Sequence, residues 1–156
     1  MDSICHLMCT NKFKSTIISI PSPFNQNEIL DLSVQACRST KNNVSIINGA
    51  PYIKVNINLK ASVASSEYGL DLTQKENLEL IEEYASSYIK EKVLDYLYTT
   101  SKKYHSDIAD FGRFLGADFL TVDEFRKLDW AHLYPDSFFD VDVKVNVISG
   151  YLLVQN

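Results

Sequence analysis

Between Thr73 and Tyr104 apolar and aromatic residues return every three or four positions, at Leu78, Ile81, Ala85, Tyr88, Ile89, Val93, Tyr96, Leu97, Thr100 and Tyr104. That spacing draws one continuous stripe along a helix. Thr73-Gln74-Lys75-Glu76 fits a capping box, in which the Thr hydroxyl takes the Glu76 N–H and the Glu carboxylate reaches back. Neither Pro nor Gly interrupts the run, so the predicted helix is roughly 45 Å long. Such a helix needs a sheet, another helix or a partner chain to cover its stripe.

Elsewhere the period falls to two. Ile53, Val55, Ile57, Leu59, Ala61 and Val63 share one face of a strand, with Tyr52, Lys54, Asn56, Asn58, Lys60 and Ser62 on the other. Phe139, Val141, Val143, Val145 and Val147 alternate in the same way with Asp140, Asp142, Lys144 and Asn146. One dry and one wet face imply an antiparallel sheet. Shorter strands are expected at Ser15–Ile20, which Pro21 and Pro23 end, and at Val44–Ile47. Ile29–Cys37 alternates as a strand, although the segment also permits a short helix. Lys41-Asn42-Asn43 reads as a turn, and Asn48-Gly49-Ala50-Pro51 as a hairpin turn with Gly49 free to take positive φ.

Ser106 or Asp107 is expected to cap a short helix, Ile108–Leu115, which Gly116 ends. A second capping box, Thr121-Val122-Asp123-Glu124, opens another that packs Phe125 and Leu128. Residues 1–14 show no clean period and read as an irregular tail, with residues 15–156 forming a single domain. The expected fold is α+β: an antiparallel sheet, one long helix across its apolar face and two short helices at one end.

Composition narrows the classes. The chain of 156 residues is 46% hydrophobic and 22% charged, which is ordinary for a globular domain. Its net charge of −5 is uneven: residues 1–104 carry 11 acids and 11 bases, residues 105–156 carry 9 and 4. An acidic balance argues against nucleic acid and against adsorption to an anionic membrane surface. Met1-Asp2 does not open a signal peptide, and no apolar run reaches transmembrane length. Taken literally this is a soluble cytoplasmic protein, or one whose targeting segment has been removed.

No constellation for catalysis or cofactor binding stands out. Cys5, His6 and Cys9 offer three soft metal ligands where zinc normally takes four, and no second pair exists elsewhere. His105, Ser106 and Asp107 are adjacent in sequence, whereas a triad converges from separate segments. The glycines at 49, 69, 112, 116 and 150 form no phosphate loop. Cys37 falls in an expected strand as a small core or half-buried residue. No enzyme, metal or cofactor is expected.

One ordered series of short motifs carries more. The long helix ends in Tyr104-His105-Ser106-Asp107-Ile108, followed by Phe111-Gly112-Arg113. Trp130 comes four residues before Tyr134-Pro135, then the valine-rich strand and Gly150. This order resembles the C-terminal domain of the Ger(x)C family, the C subunits of spore nutrient germinant receptors. The resemblance covers about residues 29–150. It departs at Ala109-Asp110, where the family has a more apolar residue or Gly, and at Phe119–Phe125, where the family has a Pro-x-x-Trp-like stretch. Neither Cys5 nor Cys9 follows a lipobox, so the chain is expected to be a C-terminal fragment or a shortened relative.

The resemblance implies a non-enzymatic lipoprotein subunit on the outer face of the spore inner membrane. There it would work with integral-membrane A and B subunits, attached only through a lipid anchor. The same motif residues have plain structural roles: Asp107 as a cap, Phe111 in the core, Gly112 for close approach, Trp130 over one end of the sheet. Partner contacts are then expected at aromatic and acidic positions on strand faces, namely Tyr52, Phe138, Asp140 and Asp142. The alternative is a small-ligand, germinant-binding module with a pocket between the long helix and the sheet, near Tyr88, Tyr96 and Trp130. A third class, an enzyme using Cys37 or His105, would show a perturbed pKa in a cleft.

Overall fold

The computed structural model describes residues 1–25, 27–66, 71–117 and 128–148. It is α+β, with five strands, one long helix and several short helical turns. The strands are β1 (Ser15–Pro21), β2 (Ile29–Ala36), β3 (Lys41–Ile47), β4 (Ala50–Ser66) and β5 (Phe138–Val147). The helices are α1 (Asp2–Cys9), α2 (Lys75–Tyr98) and the four-residue α3 (Trp130–Leu133). β1 pairs with β2, and β4 pairs with β2, β3 and β5. The residues group into two compact units. Met1–Lys12, Thr40–Ile57 and Lys90–Asp142 form the first; Phe13–Ser39, Asn58–Ile89 and the chain from Val143 form the second.

In the first unit β3 and β4 form a hairpin in which Ile47 faces Ala50. Its two-residue turn has φ of 53° at Asn48 and 83° at Gly49, the paired left-handed geometry that Asn-Gly suits best. Ile53, Val55 and Ile57 are buried, as the alternation requires. Lys41, Asn42 and Asn43 are not a turn but the start of β3. Two side chains from this stretch explain why: Asn42 Nδ2 donates to the Cys9 carbonyl at 2.8 Å and Thr40 Oγ1 to the Met8 carbonyl at 2.7 Å. The Cys9 carbonyl lies past the regular ladder of α1, and the Met8 carbonyl, which also takes the Asn11 N–H at 3.3 Å, accepts Thr40 on its second lone pair.

That helix corrects the expectation of an irregular tail. Cys5, Met8 and Cys9 recur at helical spacing and are buried. Reading the cysteines as apolar residues, not as ligands, shows the stripe that residues 1–14 were thought to lack. Burial pushes the Cys5 thiol up to about 11 and the Cys9 thiol to about 12, so both remain protonated at neutral pH.

In the second unit β1, β2 and the distal part of β4 run antiparallel, burying Ile18, Ile20, Leu30, Leu32, Val34, Leu59 and Ala61. The register shifts between Asp31 and Leu32: Leu32 faces Val63 while Asp31 faces Ser65, leaving Ala64 as the extra residue of a bulge. From α2 this unit takes Ile81, Ala85 and Ile89, all buried; the first unit takes Val93, Tyr96 and Leu97, also buried. Each buried Ile, Val or Leu among them contributes about 1.5–3 kcal/mol relative to exposure.

The α2 helix starts at Lys75, one residue later than a capping box with Thr73 as its N-cap implies. Asp71 organises the approach, its carboxylate accepting from the Thr73 N–H, the Thr73 hydroxyl and the Gln74 amide. At the other end the α-helix stops at Tyr98 and Thr99–Lys103 forms a π-turn, with the Tyr104 N–H reaching the Thr99 carbonyl. Thr100 and Ser101 send their hydroxyls back to the Leu97 and Tyr98 carbonyls, competing with the regular ladder. The second capping box, with Phe125, falls outside the described residues.

Candidate functional site

The residues of the motif series meet in the first unit. Asp107, past the π-turn, accepts two hydrogen bonds on one oxygen: the Gly112 N–H and the Trp130 Nε1–H each donate to Oδ2 at 2.8 Å. The expected α-helix over residues 108–115 is instead a 3-10 turn, Phe111–Ala117, which starts three residues later and runs past Gly116. Asp107 holds it in place of a regular N-cap. Gly112 lies against the indole so closely that a Cβ there would sit 2.7 Å from Trp130 Nε1. The Tyr134 ring packs at a tilt of 50° with its centroid 5.8 Å from that of Trp130, and its hydroxyl shares a hydrogen bond with Thr100 at 3.0 Å. Phe111 is fully buried, and Phe139 packs edge-on against Tyr98 and Tyr134. Burial raises the Tyr134 phenol above its ordinary range. The hub therefore holds the C-terminal chain in place by two charge-assisted bonds to one carboxylate.

The wet side of the first unit is different. Tyr52 Oη donates to Asp140 Oδ2 at 3.2 Å, and Lys54 Nζ lies 3.2 Å from the same oxygen. β4 supplies the two donors and β5 the acceptor. The Lys54 ammonium, with help from the Tyr52 hydroxyl, holds the Asp140 carboxyl below the usual carboxylate range. The carboxylate in turn raises Lys54. Partial burial and then Asp140 raise Tyr52. Phe138 is 60% exposed and Asp142 is exposed on the same strand. Of the four residues expected as partner contacts, Phe138 and Asp142 are exposed, while Tyr52 and Asp140, both half-buried, are tied to each other in the polar cluster with Lys54. Lys54 was missed, although strand alternation alone puts it beside Tyr52 on the wet face.

A concavity of about 380 Å³ opens between α1 and α2, lined by Asp2, Ser3, His6, Leu7, Tyr96 and Ile108. His6 Nδ1 and Tyr96 Oη share a hydrogen bond at 2.9 Å on its wall. Of the aromatics expected to line a pocket, Tyr96 is in this lining; Trp130 belongs to the Asp107 hub. The position also differs, because α1 supplies one wall where the sheet was expected. His105 is exposed at a positive φ of 49°, its Nε2 at 2.9 Å from the Lys102 carbonyl. Cys37 is half-buried, its N–H bonded to the Asn58 carbonyl. No helix among the described residues is long and apolar enough to cross a membrane.

The chain carries a class of domain found in proteins of spore germination. The chain belongs to the spore germination B3/GerAC-like C-terminal family, whose model matches residues 2–150. The crystal structure of the GerBC protein has the same fold, with a TM-score of 0.78 over 94% of this chain at 13% identity. The match takes in 45% of that protein, so this chain spans less than half its length. No curated protein sequence matches the chain.

Proposed function

We propose that this chain is a non-enzymatic docking part of a germinant receptor C subunit, contributing to nutrient-triggered spore germination. In this reading it joins integral-membrane A and B subunits at the outer face of the spore inner membrane, with a lipid anchor supplying membrane attachment. The observation that carries it is the Tyr52–Asp140–Lys54 cluster beside the exposed Phe138. An aromatic anchor next to a pre-ordered charged group suits protein recognition, because little side-chain freedom remains to be lost on binding. The fixed Lys54–Asp140 pair also leaves Asp142 as the outward negative charge.

A second reading, a small-ligand module for the germinant itself, is favoured by the concavity at Tyr96. Its walls are apolar at Leu7 and Ile108, and the His6–Tyr96 pair supplies a polar end. One set of variants separates the two. Capture of the membrane subunits by the immobilised chain should fall about tenfold or more in Phe138→Ala/Asp140→Ala, as loss of a central anchor does. The same double variant should leave calorimetric titration with nutrient germinants unchanged. Capture that survives the double variant, alongside a germinant heat that Leu7→Trp abolishes, would overturn the docking reading in favour of the pocket.

A further inference from the structure

The second unit has two strands with outward-facing main chain, and they are treated differently. On β5 the Val145 N–H donates to Ser86 Oγ at 3.0 Å and the Val147 N–H to Glu82 Oε1 at 2.7 Å. Side chains of α2 thus close that edge, while the Ile148 N–H turns inward to the Ala61 carbonyl. The outer edge of β1 has no such cover among the described residues.

The register shows which groups it presents. The Ala36 N–H bonds to the Lys14 carbonyl, and the Ser22 N–H to the Glu28 carbonyl. Even-numbered residues of β1 therefore exchange bonds with β2, and Ser15, Ile17 and Ser19 point their N–H and C=O groups outward. Ile17 is 62% exposed, on the face opposite the buried Ile18 and Ile20. Ser19 Oγ donates to Asp31 Oδ1, and Ser65 Oγ donates to Oδ2 of the same carboxylate. Natural edge strands are usually blunted by lysine, an inward-pointing charge or a covering element. From Ser15 to Pro21 no residue is charged.

We propose that β1 pairs antiparallel with β1 of a second copy of this chain, about a two-fold axis at Ile17. In that register Ile17 faces Ile17 of the copy, and Ser15 faces Ser19. All three outward residues then exchange both main-chain bonds with their counterparts. Pro21, which has no N–H, falls outside the exchanged set. The two exposed Ile17 side chains cover each other as a cross-strand pair. Neutrality selects the occupant: an uncharged strand meets no like charge in its own copy, and it offers no charge by which to choose a foreign strand. One strand pair buries less than a standard interface, so association grows with concentration.

Directly opposed residues of a bonded antiparallel pair have Cα atoms about 5.5 Å apart, within the span of a disulfide. The test places Ile17→Cys in the full chain with Cys37→Ser; Cys5 and Cys9 are buried and do not compete. Oxidation should give a covalent dimer far faster than the same chain with Lys90→Cys, an exposed control on α2. Adding Ser19→Pro removes from each copy one outward donor that β2 does not use, and should slow the crosslink about tenfold or more, the worth of roughly two hydrogen bonds. Equal rates at positions 17 and 90, or a rate indifferent to Ser19→Pro, would refute the pairing. Sedimentation of the unmodified chain is a readout that depends on no variant folding. A mass rising toward twice the monomer supports the dimer, and a monomer up to near-millimolar concentration overturns it.

Discussion

Asp107 and Asp140 each gather two donors on a single carboxylate oxygen, and they do different work. Asp107 is half-buried and holds the Gly112 N–H and the Trp130 indole at 2.8 Å. Asp140 stands on the wet face of β5 with Lys54 and Tyr52 at 3.2 Å. The first joins residues 107, 112 and 130 across three segments, so that losing it strands donors away from water. The second joins two neighbouring strands that main-chain pairing already holds, and water is on hand for every group it would release. The same chemistry is structural where replacement by water is denied and recognitional where it is free.

The largest effect should come from Asp107→Ala. It removes two charge-assisted bonds and leaves an indole N–H and a backbone N–H without their acceptor, at a cost of about 2–4 kcal/mol. Urea denaturation with tryptophan fluorescence measures it, since Trp130 is the chain's one tryptophan. A loss well under 1 kcal/mol would place Asp107 on a par with surface aspartates and dissolve the contrast. Next is Gly112→Ala. A Cβ 2.7 Å from Trp130 Nε1 and 2.8 Å from Cδ1 forces the ring to move, at about 1–3 kcal/mol. That outweighs the gain of roughly 0.5–1 kcal/mol from replacing glycine in a helical turn. Combined with Asp107→Ala the two costs should fall short of their sum, because both act through one ring.

Elements with a sustained period were legible in the sequence. β4 and β5 alternate over their length, and α2 carries an unbroken stripe, so neighbours decide little about them. Where a side chain answers a distant group, local reading failed. Asn42 reads as a turn residue until the Cys9 carbonyl is beside it, and Cys5 and Cys9 read as part of an irregular tail until their burial shows them as apolar positions of a helix. The shift from α-helix to 3-10 at Phe111 depends on Asp107 bonding to Gly112 and, 23 residues on, to Trp130. The motif series named those residues in order without showing that they meet. On the wet face alternation gave Tyr52 and Asp140 their side of the sheet, while their mutual bond needed the register between β4 and β5.

The smallest effect, and the most discriminating, is expected at Asp140. Asp140→Asn keeps the shape and removes the charge. At neutral pH it should leave the melting temperature nearly unchanged, because exposed ion pairs contribute little. The pH dependence has a defined sign. Lys54 first and Tyr52 second hold the folded-state pKa of Asp140 below its unfolded value. Whatever stability the cluster adds is therefore present above the ordinary carboxylate range and lost as pH falls through the lowered folded pKa. Lys54, raised by the same contact, contributes below the ordinary lysine range and loses that contribution in strong alkali. The small wild-type advantage over Asp140→Asn should be flat from about pH 6 to 8 and vanish in acid. Urea midpoints of both proteins, taken from neutral pH down through the carboxylate range, check this. An advantage that persists at low pH would mean that Asp140 acts through packing and not through charge. The wet-face cluster would then resemble the Asp107 hub, and the case for reading it as a recognition surface would weaken with it.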